Sequence, residues 1–201
     1  MRHLKPLLLA ALATFLGAAP PAAVAHVGAG SQRTLMDGTN RSVAKAMEAL
    51  TTGASALAAA LAGVVVLEDD PRFNAGTGAN IRLDGKTIQM DAACMEGETG
   101  AFGAVAAIER VQNPVLVARK VMETPHLLIV GEGATRFARA MGFPDYDPTC
   151  AENRAKFDRV KAILKGADAR QMEAWRRYDW KRGWNFPTPL KEALGTPDTV
   201  G

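Results

Sequence analysis

The segment from Leu67 to Gly78 restricts the fold of this chain more than any other part of the sequence. It reads LEDDPRFNAGTG and follows an apolar run, Leu57 to Val66, that has helical spacing. Proline cannot continue a helix or a central strand, and closely spaced glycines permit backbone conformations that other residues avoid. We therefore predict a shaped loop after a helix, and the rest of the fold must be built around that loop.

Periodicity and turn residues predict the elements on both sides of the loop. We expect two consecutive helical pieces, or one helix kinked at Gly53, over 41–66. Apolar alternation around Asp84-Gly85 predicts a hairpin over 80–90 with a type I′ turn. Further along, we predict buried strands at Phe102–Ile108 and 127–130. A helix is expected from Pro114 to Glu123 with Asn113 as its N-cap, and another from Glu132 to Met141 with Gly142 as its C-terminal cap. A last helix is expected from Asp147 or Thr149 to Gly166. This order indicates an α/β protein with antiparallel pairing.

The amino-terminal 25 residues have the composition of a secretory signal peptide. Arg2, His3 and Lys5 are followed by an apolar run that is too short to span a bilayer, and Ala23-Val24-Ala25 is a small-residue cleavage signal. We expect cleavage before His26, and therefore a periplasmic or secreted protein; an uncleaved anchor is the alternative. Loss of Arg2 and Lys5 lowers the formal net charge from +3 to +1, so no nucleic-acid or membrane partner is expected from charge.

Residues 167–197 combine basic and aromatic side chains. Trp175, Trp180 and Trp184 alternate with arginines and lysines, a pattern that also occurs in proteins that bind single-stranded nucleic acid. Because an exported protein does not meet that partner, we interpret the stretch as a connecting segment whose aromatic residues pack back on the domain. An exported binding module would require solvent-exposed, coplanar tryptophans.

Other candidate sites are weak. The glycines of Gly131-Glu132-Gly133 precede a helix, but Arg136 occupies the third glycine position of a dinucleotide-binding loop, so a tight strand-to-helix turn is favoured. Glu68, Asp69 and Asp70 can form an acid pair, ligate a cation or lie in a solvated turn. Cys94 and Cys150 lack the spacing of a metal motif, and their pairing remains open.

Four segments in order resemble the plant-type asparaginases, a family that includes isoaspartyl peptidases and glycosylasparaginases. They are LEDDPRFNAGTG, then MDAACM at 90–95, then 102–108 with Asn113-Pro114, and TPHLLIVGEGATRFA at 124–138. Two further segments are similar to the family's opening motif and self-cleavage site: His26-Val27-Gly28-Ala29-Gly30, where Val27 replaces a glycine, and Asp198-Thr199-Val200-Gly201. The resemblance covers nearly all of 26–201.

The resemblance implies an N-terminal-nucleophile hydrolase with a four-layer αββα fold, of which this chain supplies the first half. It implies an α chain over 26–198, with 167–198 as the linker to the cleavage site, and a β chain that begins with 199–201. Cleavage between Asp198 and Thr199 would free the Thr199 α-amine, which has a pKa of about 7.7–8.0 and can activate its own hydroxyl as the nucleophile.

The resemblance also implies how the loop contributes. Asn74 would support the geometry near the nucleophile. The loop would hold a structural sodium ion, largely through backbone carbonyl groups of Leu67, Glu68, Asp70, Phe73, Ala75 and Thr77. No organic cofactor is implied. The expected partners are a small-molecule substrate, namely asparagine or a β-aspartyl dipeptide, and the protein's own β subunit in an (αβ)2 heterotetramer.

Two alternatives remain at the level of the sequence. A glycosylasparaginase would cleave the amide that links a sugar to asparagine, and Asp198 before Thr199 suits that reading. An inactive truncated fragment is the second, because the 201 residues alone would leave strand edges unpaired and a sheet face uncovered.

Overall fold

The computed structural model describes residues 32–164 and 181–194 of the chain. The predictions for the signal peptide, for His26–Gly30, for residues 167–180, and for Asp198 and Thr199 therefore lie outside the described residues. The elements in chain order are α1 (Gln32–Thr51), α2 (Ala56–Asp69), a 3-10 turn (Gly76–Gly78), β1 (Met90–Met95), β2 (Phe102–Ile108), α3 (Pro114–Val121), β3 (Leu128–Val130), α4 (Gly131–Ala140), α5 (Ala151–Leu164) and α6 (Leu190–Leu194).

Helices α1 and α2 form a closely packed pair. Small residues at four-residue spacing, Gly38, Ser42 and Ala46, are buried on α1, and the Ser42 hydroxyl donates to the Gly63 carbonyl at 2.7 Å. Small side chains on one helix stripe let two backbones approach closely. Gly53 has a φ of +93° and separates the helices, which confirms the prediction of two helical pieces.

The boundaries of this pair differ from the prediction. Helix α1 begins at Gln32, earlier than expected, and α2 continues to Asp69. Leu67, Glu68 and Asp69 are therefore helical, and the irregular loop begins only at Asp70. The helix extends because none of these three residues breaks it, and Pro71 is the first residue that cannot continue it.

The three strands form one mixed sheet in the order β1-β2-β3. Strand β1 pairs antiparallel with β2, and β2 pairs parallel with β3 across the connection that contains α3. The β1–β2 register shifts between Met90 and Ala92. At this irregularity Ala107 has a φ of +49°, and its N–H donates to the Asp91 carboxylate at 2.7 Å. The side chain thus replaces a ladder bond that the bulge removes.

The predicted hairpin over 80–90 is wrong. No strand precedes Met90 in this stretch, and the turn runs from Arg82 to Gly85, with the Gly85 N–H donating to the Arg82 carbonyl at 2.9 Å. The Asp84 carboxylate accepts from the Lys86 and Thr87 N–H groups at 3.1 and 3.0 Å. An aspartate that bonds the backbone two residues on stabilises such a turn without a strand ladder.

The main core lies between the sheet and helices α3 and α4. Its most deeply buried members include Val105, Ile108, Val117 and Val121, each at most 1% exposed, and Phe157 of α5 joins the same cluster. The strand at Phe102–Ile108 and the helix that begins with Pro114 confirm the prediction. Gly142, with a φ of +86°, ends α4 as expected.

The opposite face of the sheet is open in the described part of the chain. Met95 and Phe102 are opposite each other in the β1–β2 ladder, and residues 104 and 106 pair with Leu128 and Val130. Because side chains alternate along a strand, these four large residues lie on one face. Met95, Leu128 and Val130 are 62%, 53% and 54% exposed. The strand predicted at 127–130 is present as Leu128–Val130, but its predicted burial is wrong in the described part of the chain.

Residues 181–194 lie against the turn before β1. The Arg82 guanidinium stacks over the Phe186 ring at 5.4 Å, and Lys86 pairs with Glu192 at 3.4 Å. Trp184 is half-buried and meets Phe186 edge to face at an interplanar angle of 67°. Trp184 thus packs back on the domain, whereas Trp175 and Trp180 lie outside the described residues, so the arrangement of the three tryptophans stays a prediction.

The two cysteines lie in different parts of the fold. Cys94 and Cys150 are both free thiols; the Cys94 sulfur lies 3.2 Å from the Met122 sulfur, and Cys150 contacts a different part of the fold. None of the helices in residues 32–164 and 181–194 combines the length and apolar character that crossing a membrane requires.

Candidate functional site

The candidate site is the turn from Asp70 to Ala79 together with the end of α2. Its first feature is Glu68, which is 3% exposed and accepts from the Val115 N–H at 3.0 Å. Val115 lies in the first turn of α3, where backbone N–H groups have no partner within the helix. The carboxylate of one helix therefore caps the amino terminus of another.

Burial changes the pKa of the Glu68 carboxyl group. Removal from water raises the pKa of its carboxyl group to about 7, against hydrogen bonds from Val115 and Asn113 that lower the pKa, and neighbouring Asp69 adds a small increase. Its second oxygen, Oε2, has no hydrogen-bond partner among the described residues. A buried polar atom in that state is uncommon in folded proteins.

The two neighbouring carboxylates have different partners. Asp69 accepts from the side-chain amides of Gln112 and Asn113 at 2.8 and 3.0 Å. Asn113 consequently makes no capping hydrogen bond to α3, which corrects its predicted role as the side-chain N-cap. Asn113 still occupies the N-cap position, but the acceptor for the Val115 N–H is the carboxylate of Glu68, which is distant in sequence.

Asp70 is the third carboxylate and binds arginines. It is 6% exposed and accepts from Arg41 of α1 at 2.5 Å and from the Arg72 Nε at 2.7 Å. The hydrogen bond from the Arg72 side chain holds the pKa of Asp70 below its ordinary value despite burial. The three acidic residues bind mainly different donors, although Asn113 interacts with both Glu68 and Asp69. This arrangement does not support the interpretation of an acid pair.

Side-chain metal ligands are also not gathered here. Across 32–164 and 181–194, no three His, Cys, Asp or Glu side chains come together as a metal-binding group. That observation concerns side chains, whereas the sodium set inferred from resemblance consists largely of backbone carbonyl groups.

The turn itself is packed so closely that its glycines are required. A Cβ atom on Gly76 would lie 2.3 Å from the Glu68 carbonyl oxygen, and one on Gly78 would lie 2.0 Å from the Phe73 carbonyl oxygen. Gly76 also has a φ of +49°, which favours glycine. The turn closes through the Phe73 N–H to the Asp70 carbonyl and the Gly78 N–H to the Ala75 carbonyl, at 3.1 and 3.0 Å.

Asn74 lies at the outside of the turn. Its side chain is exposed, and its carbonyl oxygen Oδ1 accepts from the Asn80 N–H at 2.9 Å. Because Thr199 lies outside the described residues, its predicted proximity to Asn74 stays a prediction.

The inner side of the turn is held by residues that sequence reasoning missed. Thr77 shares a hydrogen bond between its hydroxyl and the Tyr146 hydroxyl at 2.9 Å. Asn153, which is 0% exposed, donates its amide to the Ala79 carbonyl at 3.0 Å. No standard sequence motif marks these residues, because Cys150 and Asn153 have the spacing of a capping box but not its Ser/Thr and Glu/Gln residue types.

Hydrogen bonds between Cys150 and Asn153 mark the start of α5. The Cys150 N–H donates to the Asn153 side chain at 3.0 Å, and the Asn153 N–H approaches the Cys150 sulfur at 3.5 Å. The helix therefore begins at Ala151, later than the predicted Asp147 or Thr149. Asp147 instead accepts from the Thr149 N–H at 2.9 Å, in a turn before the helix.

Replacement of Glu68 tests the cap. We expect Glu68→Ala to lower the free energy of unfolding by about 2–4 kcal/mol, because it leaves the buried Val115 N–H without an acceptor and opens a cavity. Glu68→Gln keeps an acceptor oxygen and removes a buried charge, so we expect a loss below about 1 kcal/mol. Urea unfolding of both variants measures the difference; equal losses would contradict the cap.

Comparison with known proteins identifies the family of this α/β chain. The asparaginase family model matches residues 17–201, and the chain belongs to that family. A plant-type L-asparaginase of Pyrococcus furiosus is 46% identical over 182 residues, which cover 87% of this chain and 58% of the relative. For a plant-type L-asparaginase of Pyrococcus abyssi the identity is 47% over 156 residues, with 74% and 50% covered.

An animal relative extends the comparison. An isoaspartyl peptidase/L-asparaginase of Xenopus laevis is 44% identical over 131 residues, which cover 62% of this chain and 42% of that protein. The chain thus spans between half and three fifths of the length of the Pyrococcus relatives. The family assignment confirms the resemblance to the asparaginases.

Proposed function

We propose that the complete protein is a self-cleaving hydrolase of the side-chain amide of L-asparagine and of β-aspartyl dipeptides. The observation that carries the proposal is the asparaginase family match over 17–201. Relatives named both plant-type L-asparaginase and isoaspartyl peptidase/L-asparaginase support the two substrate classes. The tightly packed turn at Asp70–Ala79 supplies a rigid support next to which such chemistry can be placed.

Processing supplies the nucleophile. The Thr199 hydroxyl attacks the Asp198 carbonyl carbon, the peptide C–N bond breaks as an ester forms, and the nitrogen takes the proton. Water then hydrolyses the ester, which leaves the Asp198 carboxylate and a free Thr199 α-amine. That amine has a pKa of about 7.7–8.0 and can accept the proton of its own hydroxyl at neutral pH.

Substrate hydrolysis proceeds through the same two steps, formation of an ester and its hydrolysis. The Thr199 oxygen attacks the side-chain amide carbon of the substrate, ammonia or an amino acid leaves with a proton, and an aspartyl ester remains. Water hydrolyses that ester and releases aspartate. The oxyanion of each tetrahedral intermediate needs hydrogen-bond donors, which we expect from the β chain, while Asn74 supports the geometry of the nucleophile.

The architecture proposed is a four-layer αββα sandwich. The open sheet face with Met95, Phe102, Leu128 and Val130 supports it, because an exposed apolar surface of this kind is normally covered by a partner layer. The β subunit would supply the second sheet, and two αβ units would form an (αβ)2 heterotetramer. Residues 1–25 would direct the precursor to the periplasm or out of the cell.

A structural sodium ion completes the proposal, with no organic cofactor. Carbonyl oxygens of Leu67, Glu68, Asp70, Phe73, Ala75 and Thr77 would hold it, and oxygen donors are the ligands that hard cations take. The concentration of backbone carbonyl groups in the turn supports the fit, and the buried Glu68 Oε2 beside it has no partner among the described residues. The Thr77 carbonyl also accepts from Cys150 and Asn153. When bound, the ion would stiffen the turn electrostatically.

The experiment is an assay of the purified complete precursor on L-asparagine, a β-aspartyl dipeptide and glycosylated asparagine. We expect release of aspartate from the first two. Activity confined to glycosylated asparagine would replace the proposal with a glycosylasparaginase. The 201-residue chain expressed alone is expected to lack activity and to aggregate; a soluble, active product would overturn the proposed need for a β subunit.

A further inference from the structure

Three consecutive carbonyl groups of the turn accept hydrogen bonds from the start of α5. Asn153 donates to the Thr77 carbonyl at 3.3 Å and to the Ala79 carbonyl at 3.0 Å. Lys156 donates to the Gly78 carbonyl between them at 3.4 Å, and the Cys150 thiol adds a bond to the Thr77 carbonyl at 3.3 Å. Residues in the first two turns of α5 and its N-cap thus hold the inner edge of the glycine turn.

The peptide group between Ala79 and Asn80 connects this inner edge to the outer one. Its carbonyl oxygen accepts from Asn153, and its N–H donates to Asn74 Oδ1 at 2.9 Å. The peptide unit is planar, so the direction of the carbonyl determines the direction of the N–H on its opposite side. Hydrogen bonds at both ends of one peptide also polarise each other and strengthen the pair.

We propose that Asn153 is a positioning residue that orients Asn74 through the Ala79–Asn80 peptide group. The inference rests on the proposed function in one respect, namely that Asn74 supports the Thr199 nucleophile. Rotation of this peptide unit would move the Asn80 N–H away from Asn74 and release the Asn74 side chain. The buried helix turn therefore sets the position of an exposed polar group on the other side of the loop.

Asn153 is suited to this role by its complete hydrogen bonding. Its amide also lies 2.9 Å from the Pro148 carbonyl, so its two hydrogens serve three carbonyl groups, of which Thr77 at 3.3 Å is the most distant. Its oxygen accepts from the Cys150 N–H, so its rotamer is determined from several directions. A side chain with one fixed rotamer holds the peptide group it binds in one orientation, whereas a solvent-exposed side chain with several rotamers would not.

The test uses the complete precursor with three variants. Asn153→Ala removes the bonds to the turn carbonyls. Phe157→Leu is the matched control, because Phe157 lies on the same helix, is 7% exposed, and its substitution weakens core packing without removing a bond to the turn. Asn74→Ala removes the outer end of the connection, and its exposed position leaves folding intact.

Two measurements separate positioning from stability. Amide hydrogen exchange at Asn80 is expected to accelerate in Asn153→Ala and in Asn74→Ala but not in Phe157→Leu. In the hydrolysis assay, kcat is expected to fall roughly tenfold to a hundredfold in both asparagine variants with KM nearly unchanged, since a misplacement of about 1 Å can cost that much. The double variant is expected to be no slower than either single variant, because both act through one connection.

Several results would contradict a positioning role for Asn153. If Asn153→Ala and Phe157→Leu lose stability alike and show the same kcat and the same Asn80 exchange, Asn153 is structural only. Additive losses in the double variant would likewise overturn the connection. Should Asn153→Ala not fold, Asn74→Ala still decides the outer bond, because unchanged Asn80 exchange there contradicts the proposal. A wild-type precursor without hydrolase activity defeats the proposed function, while the exchange measurements continue to test the inference.

Discussion

The complete precursor with Thr199→Ala is expected to remain a single uncleaved chain and to lose its hydrolase activity by roughly a thousandfold or more. Alanine has no hydroxyl to attack the Asp198 carbonyl carbon, so neither the ester nor the free α-amine forms. The same substitution removes the nucleophile of the hydrolytic reaction, and loss of a covalent nucleophile ranks among the largest single effects in enzyme kinetics.

Intact mass and amino-terminal sequencing of the subunits measure the cut. The wild-type product is expected to contain a subunit that begins Thr-Val-Gly, whereas Thr199→Ala is expected to show the precursor mass alone. Thr199→Ser is the matched control, because it retains a hydroxyl next to the scissile bond and should still be cut, more slowly. Normal cleavage of the alanine variant would place the nucleophile elsewhere.

Gly78→Ala is expected to destabilise the fold by about 3 kcal/mol or more, or to prevent folding. The added Cβ would lie 2.0 Å from the Phe73 carbonyl oxygen and 2.5 Å from the Pro71 carbonyl oxygen. Both neighbours belong to the backbone of the same turn, so they cannot move away as a flexible side chain would. Relief of the overlap requires the turn to open, which also breaks the bonds from α5.

Gly97→Ala provides the comparison. Gly97 lies in the exposed connection between β1 and β2, and a Cβ there meets nothing within 4 Å. Its substitution is expected to change the free energy of unfolding by less than about 0.5 kcal/mol. Denaturant unfolding of the two variants beside the wild type checks the contrast; a Gly78→Ala protein as stable as Gly97→Ala would mean that the turn is looser than described.

Helix ends were predicted correctly where a glycine or a proline at the end determines the backbone conformation. Gly53 predicted the break between α1 and α2, Pro114 predicted the start of α3, and Gly142 predicted the end of α4. In each case a backbone preference acts within a few residues and competes with nothing distant. The hairpin around Asp84 failed for the complementary reason, since alternation indicates a strand only where a partner strand is present.

The candidate site divides in the same way. The sequence by itself determined that residues 67–78 contain a loop of defined backbone shape. The resemblance to the asparaginases rested on that loop and on the similar segments that follow it in the sequence. The role of Thr199 also comes from the sequence and stays a prediction. A proline and close glycines reveal a required backbone shape wherever they occur, because that requirement is intrinsic to the residue.

Only the tertiary structure decided what the polar side chains of this region do. Glu68 caps a helix 47 residues further along the chain, Asp70 binds Arg41, and Asn153 connects to Asn74 through one peptide group. None of these partners is adjacent in sequence, so no local preference distinguishes the adjacent carboxylates Glu68, Asp69 and Asp70. Their roles depend on burial and on which donors the packed helices bring within hydrogen-bond distance, and packing alone sets both.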